Sequence, residues 1–158
     1  MEGVLGKLTT TFAQDGSVCW IGLRPARRKP MVAVEHAAIE LTGLVGDRRE
    51  SPGKRAVSLI QWEHLPVIAS LLGKDTVAPE QLRRNIAVSG INLLGLRKSE
   101  FRVGSALLRG TGLCAPCSRM EEELGRGGYS AVRGHGGITA EVIEEGTVGI
   151  GSEIVPLN

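Results

Sequence analysis

The chain has 158 residues, 42% of them apolar and 23% charged. That composition suits one folded domain, expected to span residues 1–158, and excludes a disordered chain. No apolar run approaches the roughly 20 residues of a membrane-spanning helix. A net charge of +2 with only two Trp, two Phe and one Tyr argues against nucleic-acid binding.

Residues 3–10 read as a first strand. Residues 24–30 (RPARRKP) form a basic, proline-bounded loop. Residues 30–41 read as a buried strand with a kink, and residues 43–53 as a long polar loop holding Gly46, Asp47, Arg48 and Arg49. Residues 55–61 alternate as a strand. Residues 62–72 are the clearest helix: Leu65, Ile68, Ala69 and Leu72 share one face, and Gly73 closes it. Pro66 must then lie in the first turn. Residues 79–82 form a short helix with proline at its first position.

Strands follow at 86–88, 101–103 and 106–111. Residues 118–124 read as a third short helix, its start written as a capping box of Ser118 with Glu121 three residues on. Residues 125–151 hold nine glycines and read as loops and hairpins. The last strands are expected at 138–144 and 147–155, with Glu145-Gly146 as the turn. Eight or nine strands with few helical crossovers exclude a doubly wound parallel sheet. The expected fold is mostly β (α+β): a bent, partly closed mixed β-barrel with about three short peripheral helices.

Charge is uneven along the chain. From Arg24 to Arg55 there are eight Lys/Arg against four Asp/Glu, a local excess of +4. An excess of this size suits an anionic small ligand or a solvated face. The three cysteines, Cys19, Cys114 and Cys117, are an odd number without a signal peptide. They point to a reducing compartment, with cytoplasm as the default.

Cys114-Ala115-Pro116-Cys117-Ser118 stands immediately before a helix. The positive end of a helix, with Arg119 beside it, favours a thiolate at Cys117. Cys117 is therefore placed as a nucleophile or soft metal ligand, unless it packs as a small hydrophobe. A structural zinc site needs four ligands, and the other candidates (Cys19, His36, His64, His135) are isolated. A thioredoxin-like redox pair matches the CxPC spelling, but the motif stands late in a β-rich chain. The third reading is thiolate ligation of a cofactor metal, with basic loops gripping an anionic tail.

Arg83-Arg84-Asn85 offers guanidinium forks and a carboxamide suited to a phosphate and a heterocycle edge. The bland alternative is helix-terminal arginines with Asn85 in a turn. Gly134-His135-Gly136-Gly137 lets the backbone approach a ligand closely, with Gly136 expected to need a positive φ; otherwise it is an ordinary turn. Asp47-Arg48 is a binding loop or a polar turn.

These pieces together resemble the MOSC family, named for the C-terminal domain of molybdenum cofactor sulfurases. The resemblance runs from Trp20-Ile21-Gly22-Leu23-Arg24-Pro25 through Gly46-Asp47-Arg48 and Ser58-Leu59-Ile60-Gln61-Trp62-Glu63-His64-Leu65. It continues through Leu82-Arg83-Arg84-Asn85-Ile86, Cys114 to Arg119 and Arg133-Gly134-His135-Gly136-Gly137-Ile138, to a closing strand over 149–154.

The resemblance implies a β-barrel-like fold and a molybdenum–pyranopterin cofactor. It implies that Cys117 ligates molybdenum or carries sulfur, with Cys114 second. Arg83 and Asn85 fall where relatives hold the pterin, and Arg84, Asp47, Arg48, Arg119, His135 and Gly136 join them as expected cofactor-binding residues. No pyridoxal phosphate is expected in this chain, because the desulfurase domain of sulfurases proper is not in it. Electrons or sulfur would come from a separate electron-donor protein or cysteine desulfurase. Reduction of N-hydroxylated compounds, a persulfide carrier and a non-catalytic cofactor carrier are the functions it leaves open.

Overall fold

The computed structural model describes residues 3–49 and 51–157. In chain order it contains α1 (Val4–Thr9), β1 (Gly16–Leu23), β2 (Val32–Val34), β3 (His36–Glu40), β4 (Gly43–Leu44), β5 (Val57–Gln61), α2 (His64–Leu72), α3 (Pro79–Leu82) and β6 (Ile86–Ser89). A 3-10 turn (Leu93–Leu96) leads to β7 (Glu100–Val103), β8 (Ala106–Leu113), α4 (Ser118–Leu124), α5 (Gly128–Val132), β9 (Ile138–Glu144), β10 (Gly146–Gly149) and β11 (Glu153–Pro156).

Seven strands close into a mixed barrel in the order β1-β11-β7-β8-β9-β5-β6. Closure is made by β1, which pairs with β11 through Gly16 and Ser17 and with β6 through Ser17 to Ile21. β2 adds an extra strand on the far half of β1. β10, β3 and β4 form a small second sheet. The mostly β barrel expected from the sequence is thus present, and it is closed rather than partly closed.

Two apolar clusters lie on opposite sides of the barrel wall. Leu59, Ile86 and Val88 point into the barrel with Ile21, Phe101, Leu108 and Ile138. Ile60 and Ala87 point outward, beneath Leu65 and Ile68 of α2, Leu82 of α3, Met120 of α4 and Ala131 of α5. Burying each such Leu or Ile contributes roughly 1.5–3 kcal/mol. This two-sided burial explains why all five residues of β5 are buried. β5 and β6 are parallel neighbours joined by a helical crossover, so both their faces are covered.

α2 and α3 match expectation closely. Gly73 takes a left-handed conformation (φ 67°) after α2, and its N–H donates to Ser70 O. Other segments differ. Residues 3–10, expected as a strand, instead carry helix α1 (Val4–Thr9), which buries none of its residues. Its end is stitched locally: the Thr9 and Thr10 hydroxyls both donate to Gly6 O at 3.0 Å. Residues 30–41 split into β2 and β3, in different sheets, with Ile39 the one buried residue. Residues 43–53 begin with β4, paired to β3.

The segment 147–155 is also two strands. β10 pairs with β3 and β11 with β1 and β7, so the chain must turn between sheets. Gly151 makes that turn with φ 88°, donating to Val18 O at 2.8 Å. The glycine-rich stretch after α4 contains α5, bringing the α-helices to five among the described residues.

The start of α4 differs from the capping box expected at Ser118 and Glu121. Cys117 is the N-cap, with extended backbone (φ −124°, ψ 173°), and no side chain caps the helix. Glu121 instead accepts from the backbone N–H groups of Gly127 and Tyr129, both at 3.0 Å. Those two hydrogen bonds hold its carboxyl below the ordinary carboxylate range and fasten the start of α5.

Candidate functional site

At the end of the barrel where β1 and β8 finish and β6 begins lies a cleft of about 560 Å3. Among the described residues its walls include nine arginines (24, 27, 28, 48, 49, 55, 83, 84 and 119) and a single acid, Glu122. Cys114, Ala115, Cys117 and Ser118 border it from the loop before α4, and Ser58 and Thr139 from the barrel.

The frame behind the cleft is a buried polar network. Asp47 Oδ1 accepts from Arg24 N at 2.8 Å and from Arg24 Nε at 3.1 Å, while its Oδ2 accepts from Arg24 Nη2 at 2.9 Å. Burial pushes this carboxyl up, but the Arg24 hydrogen bonds and charge, with the Asn85 amide, outweigh it and leave the pKa below the ordinary value. Asn85 is fully buried and uses its whole amide within the protein. Nδ2 donates to Gly22 O and Asp47 Oδ1, and Oδ1 accepts from Ser58 N and Oγ. Asp47 and Asn85 therefore anchor the arginine loop to β1, β5 and β6 without lining the cleft.

Arg84 is a second anchor. It is 7% exposed and has no carboxylate partner among the described residues. Nε donates to Gly136 O at 2.9 Å and Nη1 to Leu82 O at 3.0 Å. Nη2 reaches Ala115 O at 3.4 Å and Cys114 O at 3.5 Å. Burial lowers the guanidinium pKa, while the neighbouring Cys114 and Cys117 act the other way. The cysteine loop is held again where Cys114 N donates to Gly137 O at 2.8 Å.

Gly136 does not have the positive φ expected of it; Gly134 (φ 86°) and Gly137 (φ 85°) do. Gly136 is required for space instead. A Cβ there would stand 2.3 Å from Cys114 O and 3.2 Å from Arg84 Nη2.

Cys114 is buried and Cys117 exposed at the cleft, and both are free thiols. As the N-cap residue with no side-chain cap bond, Cys117 leaves its Sγ available to a ligand. Among the described residues no group of three or more His, Cys, Asp or Glu could hold a metal ion unaided. A metal here would need ligands brought by a cofactor.

The expected site residues thus separate into two sets. Cys114, Cys117, Arg48, Arg83, Arg84 and Arg119 line the cleft, and Asp47, Asn85, His135 and Gly136 do not. His135 packs edge-on against His64, ring centroids 5.0 Å apart, with its Nδ1 buried and unpartnered. Five arginines (24, 27, 28, 49 and 55) were not singled out one by one in the sequence, although the local charge excess from Arg24 to Arg55 contains all five. Arg27, Arg48 and Arg55 have no protein partner among the described residues, and Arg49 Nε is buried without one.

The sequence profile of the MOSC domain matches residues 34–155. The chain belongs to the MOSC domain family. No curated protein matches it significantly. Among solved structures, the YuaD protein of Bacillus subtilis shares the fold with a TM-score of 0.78 at 20% identity, over 89% of this chain and 94% of that one. YiiM of Geobacillus stearothermophilus aligns with a TM-score of 0.73 at 16% identity, over 90% of this chain and 75% of its own. YiiM of Escherichia coli gives 0.69 at 18% identity, over 90% and 70%. At these identities the likeness concerns the MOSC barrel itself. Among the described residues of this MOSC chain no helix is long and apolar enough to cross a membrane.

The family is associated with the molybdenum cofactor, and the residues of this cleft suit such a group. An exposed soft thiol borders the guanidinium groups of Arg27, Arg48 and Arg55, which have no protein partner among the described residues.

Proposed function

We propose that this MOSC domain binds a molybdenum–pyranopterin cofactor in the arginine cleft, with Cys117 as the protein ligand to molybdenum. On this reading it is a component of an oxidoreductase that reduces N-hydroxylated compounds. The observation that carries it is the exposed Cys117 thiol on a cleft with nine arginines and one acid. Bound there, the cofactor supplies oxygen-atom transfer coupled to two-electron chemistry. The electrons come from a separate donor protein: N-hydroxyl substrate, two electrons and two protons yield amine and water.

The chain's own residues bind and orient. Arg27, Arg48 and Arg55 offer unused forks to an anionic tail, each charged hydrogen bond worth roughly 1.5–3 kcal/mol. Arg84 and Gly137 hold the loop that presents Cys117. A second reading, a sulfur carrier with a persulfide on Cys117, draws on the same exposure, since a transferred sulfur must be reachable.

The test is to purify the protein from cells that make the cofactor and measure molybdenum, phosphorus and the fluorescence of the oxidised pterin. Stoichiometric metal and pterin, with reduction of an N-hydroxylated amidine by an artificial donor, support the reductase. Cyanide-labile sulfur on a metal-free protein supports the carrier and defeats the reductase.

A further inference from the structure

Two hydroxyls on the floor of the cleft have their protons already committed. Ser58 of β5 and Thr139 of β9 stand directly opposite each other across an antiparallel pair, so their side chains share one face. Both border the cleft, and they are 7% and 6% exposed. We propose that Ser58 and Thr139 form an acceptor-only subsite, which selects ligands that bring an N–H or O–H group to the floor. This subsite rests on the reductase reading of the cleft. It narrows the substrates to N-hydroxylated compounds that keep hydrogen on nitrogen or oxygen, and it disfavours N-oxides.

The direction of the Thr139 proton follows from its neighbours. Thr111 Oγ1 hydrogen-bonds the carbonyl oxygen of Lys54, which can only accept, so the one hydroxyl proton of Thr111 is spent there. Thr111 Oγ1 and Thr139 Oγ1 are 2.8 Å apart, a separation that requires a proton between them. Thr139 must supply it, and its oxygen is left with lone pairs alone for the cleft. Ser58 arrives at the same state by another route. Its Oγ donates to Asn85 Oδ1 at 3.3 Å and accepts from Asn85 N at 3.1 Å. One lone pair remains.

The strand pairing is shaped around this arrangement. β8 pairs with β9 through Gly110 opposite Ala140 and Gly112 opposite Thr139, which leaves Thr111 as the extra residue of a bulge. Gly112 accommodates the bulge at φ 146°. A bulge of this kind re-aims a side chain, and here it brings Thr111 to Thr139 and Lys54 together.

The arginines of the cleft ask for the opposite chemistry. Guanidinium groups donate and cannot accept, so a ligand that answered them alone would present only acceptor oxygens. No arginine donates to Ser58 or Thr139 among the described residues. An acceptor oxygen over the floor meets lone pairs and is repelled, whereas an N–H or O–H is held.

The test is calorimetric titration of the protein as purified with two ligands. Benzamidoxime carries O–H and N–H donors, and pyridine N-oxide offers only an acceptor oxygen. Benzamidoxime should bind about tenfold tighter. Thr111→Val removes the acceptor of the Thr139 proton and frees that O–H for the cleft. The preference should then fall about tenfold, with N-oxide affinity rising and the circular dichroism spectrum unchanged. Thr111→Ser should restore the wild-type ratio. Thr139→Val should lose the preference without gaining N-oxide affinity. An unchanged ratio in Thr111→Val and Thr139→Val, or binding of neither ligand, overturns the acceptor floor. Molybdenum measured on the same samples keeps the two readings apart: metal-free protein that retains the benzamidoxime preference defeats the cofactor reading and leaves the floor standing.

Discussion

Arg84 donates from Nε to the carbonyl oxygen of Gly136 at 2.9 Å, while the far edge of its guanidinium reaches the carbonyls of Cys114 and Ala115. One buried side chain thus ties two loops, one glycine-rich and one carrying both cysteines. Arg84→Met should cost about 2–4 kcal/mol, because buried carbonyls lose their donors. Arg84→Lys should restore little, since an ammonium lacks the planar fork that spans both loops. Urea denaturation checks the stability, and iodoacetamide labelling checks whether Cys114 becomes accessible. A stable Arg84→Met protein with Cys114 still protected would remove Arg84 from this positioning role.

Gly136 and Gly134 separate crowding from backbone strain. Gly136→Ala places a Cβ against Cys114 O and should cost about 1–3 kcal/mol. Gly134→Ala meets open space but must adopt φ 86°, for about 1 kcal/mol. The variants should differ more in metal content than in stability, because only Gly136 touches the Arg84 and Cys114 contacts. Equal metal loss in both would sink that distinction.

Cys117 and Cys114 should behave differently toward reagents and ligands. Cys117 is exposed and Cys114 is 6% exposed, so alkylation should be much faster at Cys117. Bound cofactor should protect Cys117. Cys117→Ser should lose molybdenum and keep the fold, whereas Cys114→Ser should keep most of the metal and lose about 1 kcal/mol of stability through a buried hydroxyl. Equal metal loss in the two variants, together with a trapped Cys114–Cys117 disulfide, would promote a dithiol mechanism instead.

His64 gives the fold a pH dependence. Burial lowers its pKa from 6.5, repulsion from His135 adds to that, and Glu63 opposes it. The folded state therefore binds fewer protons than the unfolded chain just below pH 6.5. Stability from this source is complete above that pH and drains away as pH falls toward the lowered folded value. His64→Asn should flatten the fall in urea midpoint between about pH 7 and about pH 5.5. An identical fall in wild type and variant would show that other groups set it.

Much of the MOSC barrel is legible in the sequence. The spacing of Leu65, Ile68 and Ala69, closed by Gly73, identifies α2, because a helix buried on one face must repeat its apolar residues each turn. The proline at 79 identifies α3, and alternation with glycine turns identifies most strands. The cysteine loop before α4 stands out because residue type and helix start coincide locally. Helix α1 was not legible, since it buries nothing and is held by threonine hydroxyls on nearby carbonyls. Glu121 stands where it would complete a capping box with Ser118, yet its partners are the N–H groups at the start of α5. Proximity in sequence suggests one partner, and packing of α4 against α5 supplies another.

The arginines show the same division. Their excess between Arg24 and Arg55 is a property of the chain alone and already points to an anion. Which of them face one cleft depends on Asp47 reaching both Arg24 and Asn85, contacts that span 23 and 38 positions. So does the exclusion of Asn85, whose amide is consumed by Ser58, Gly22 and Asp47. Residue type determined what chemistry was available. Barrel closure, which sets the ends of β1, β5, β6 and β8 side by side, decided which residues share a ligand and which hold them in place.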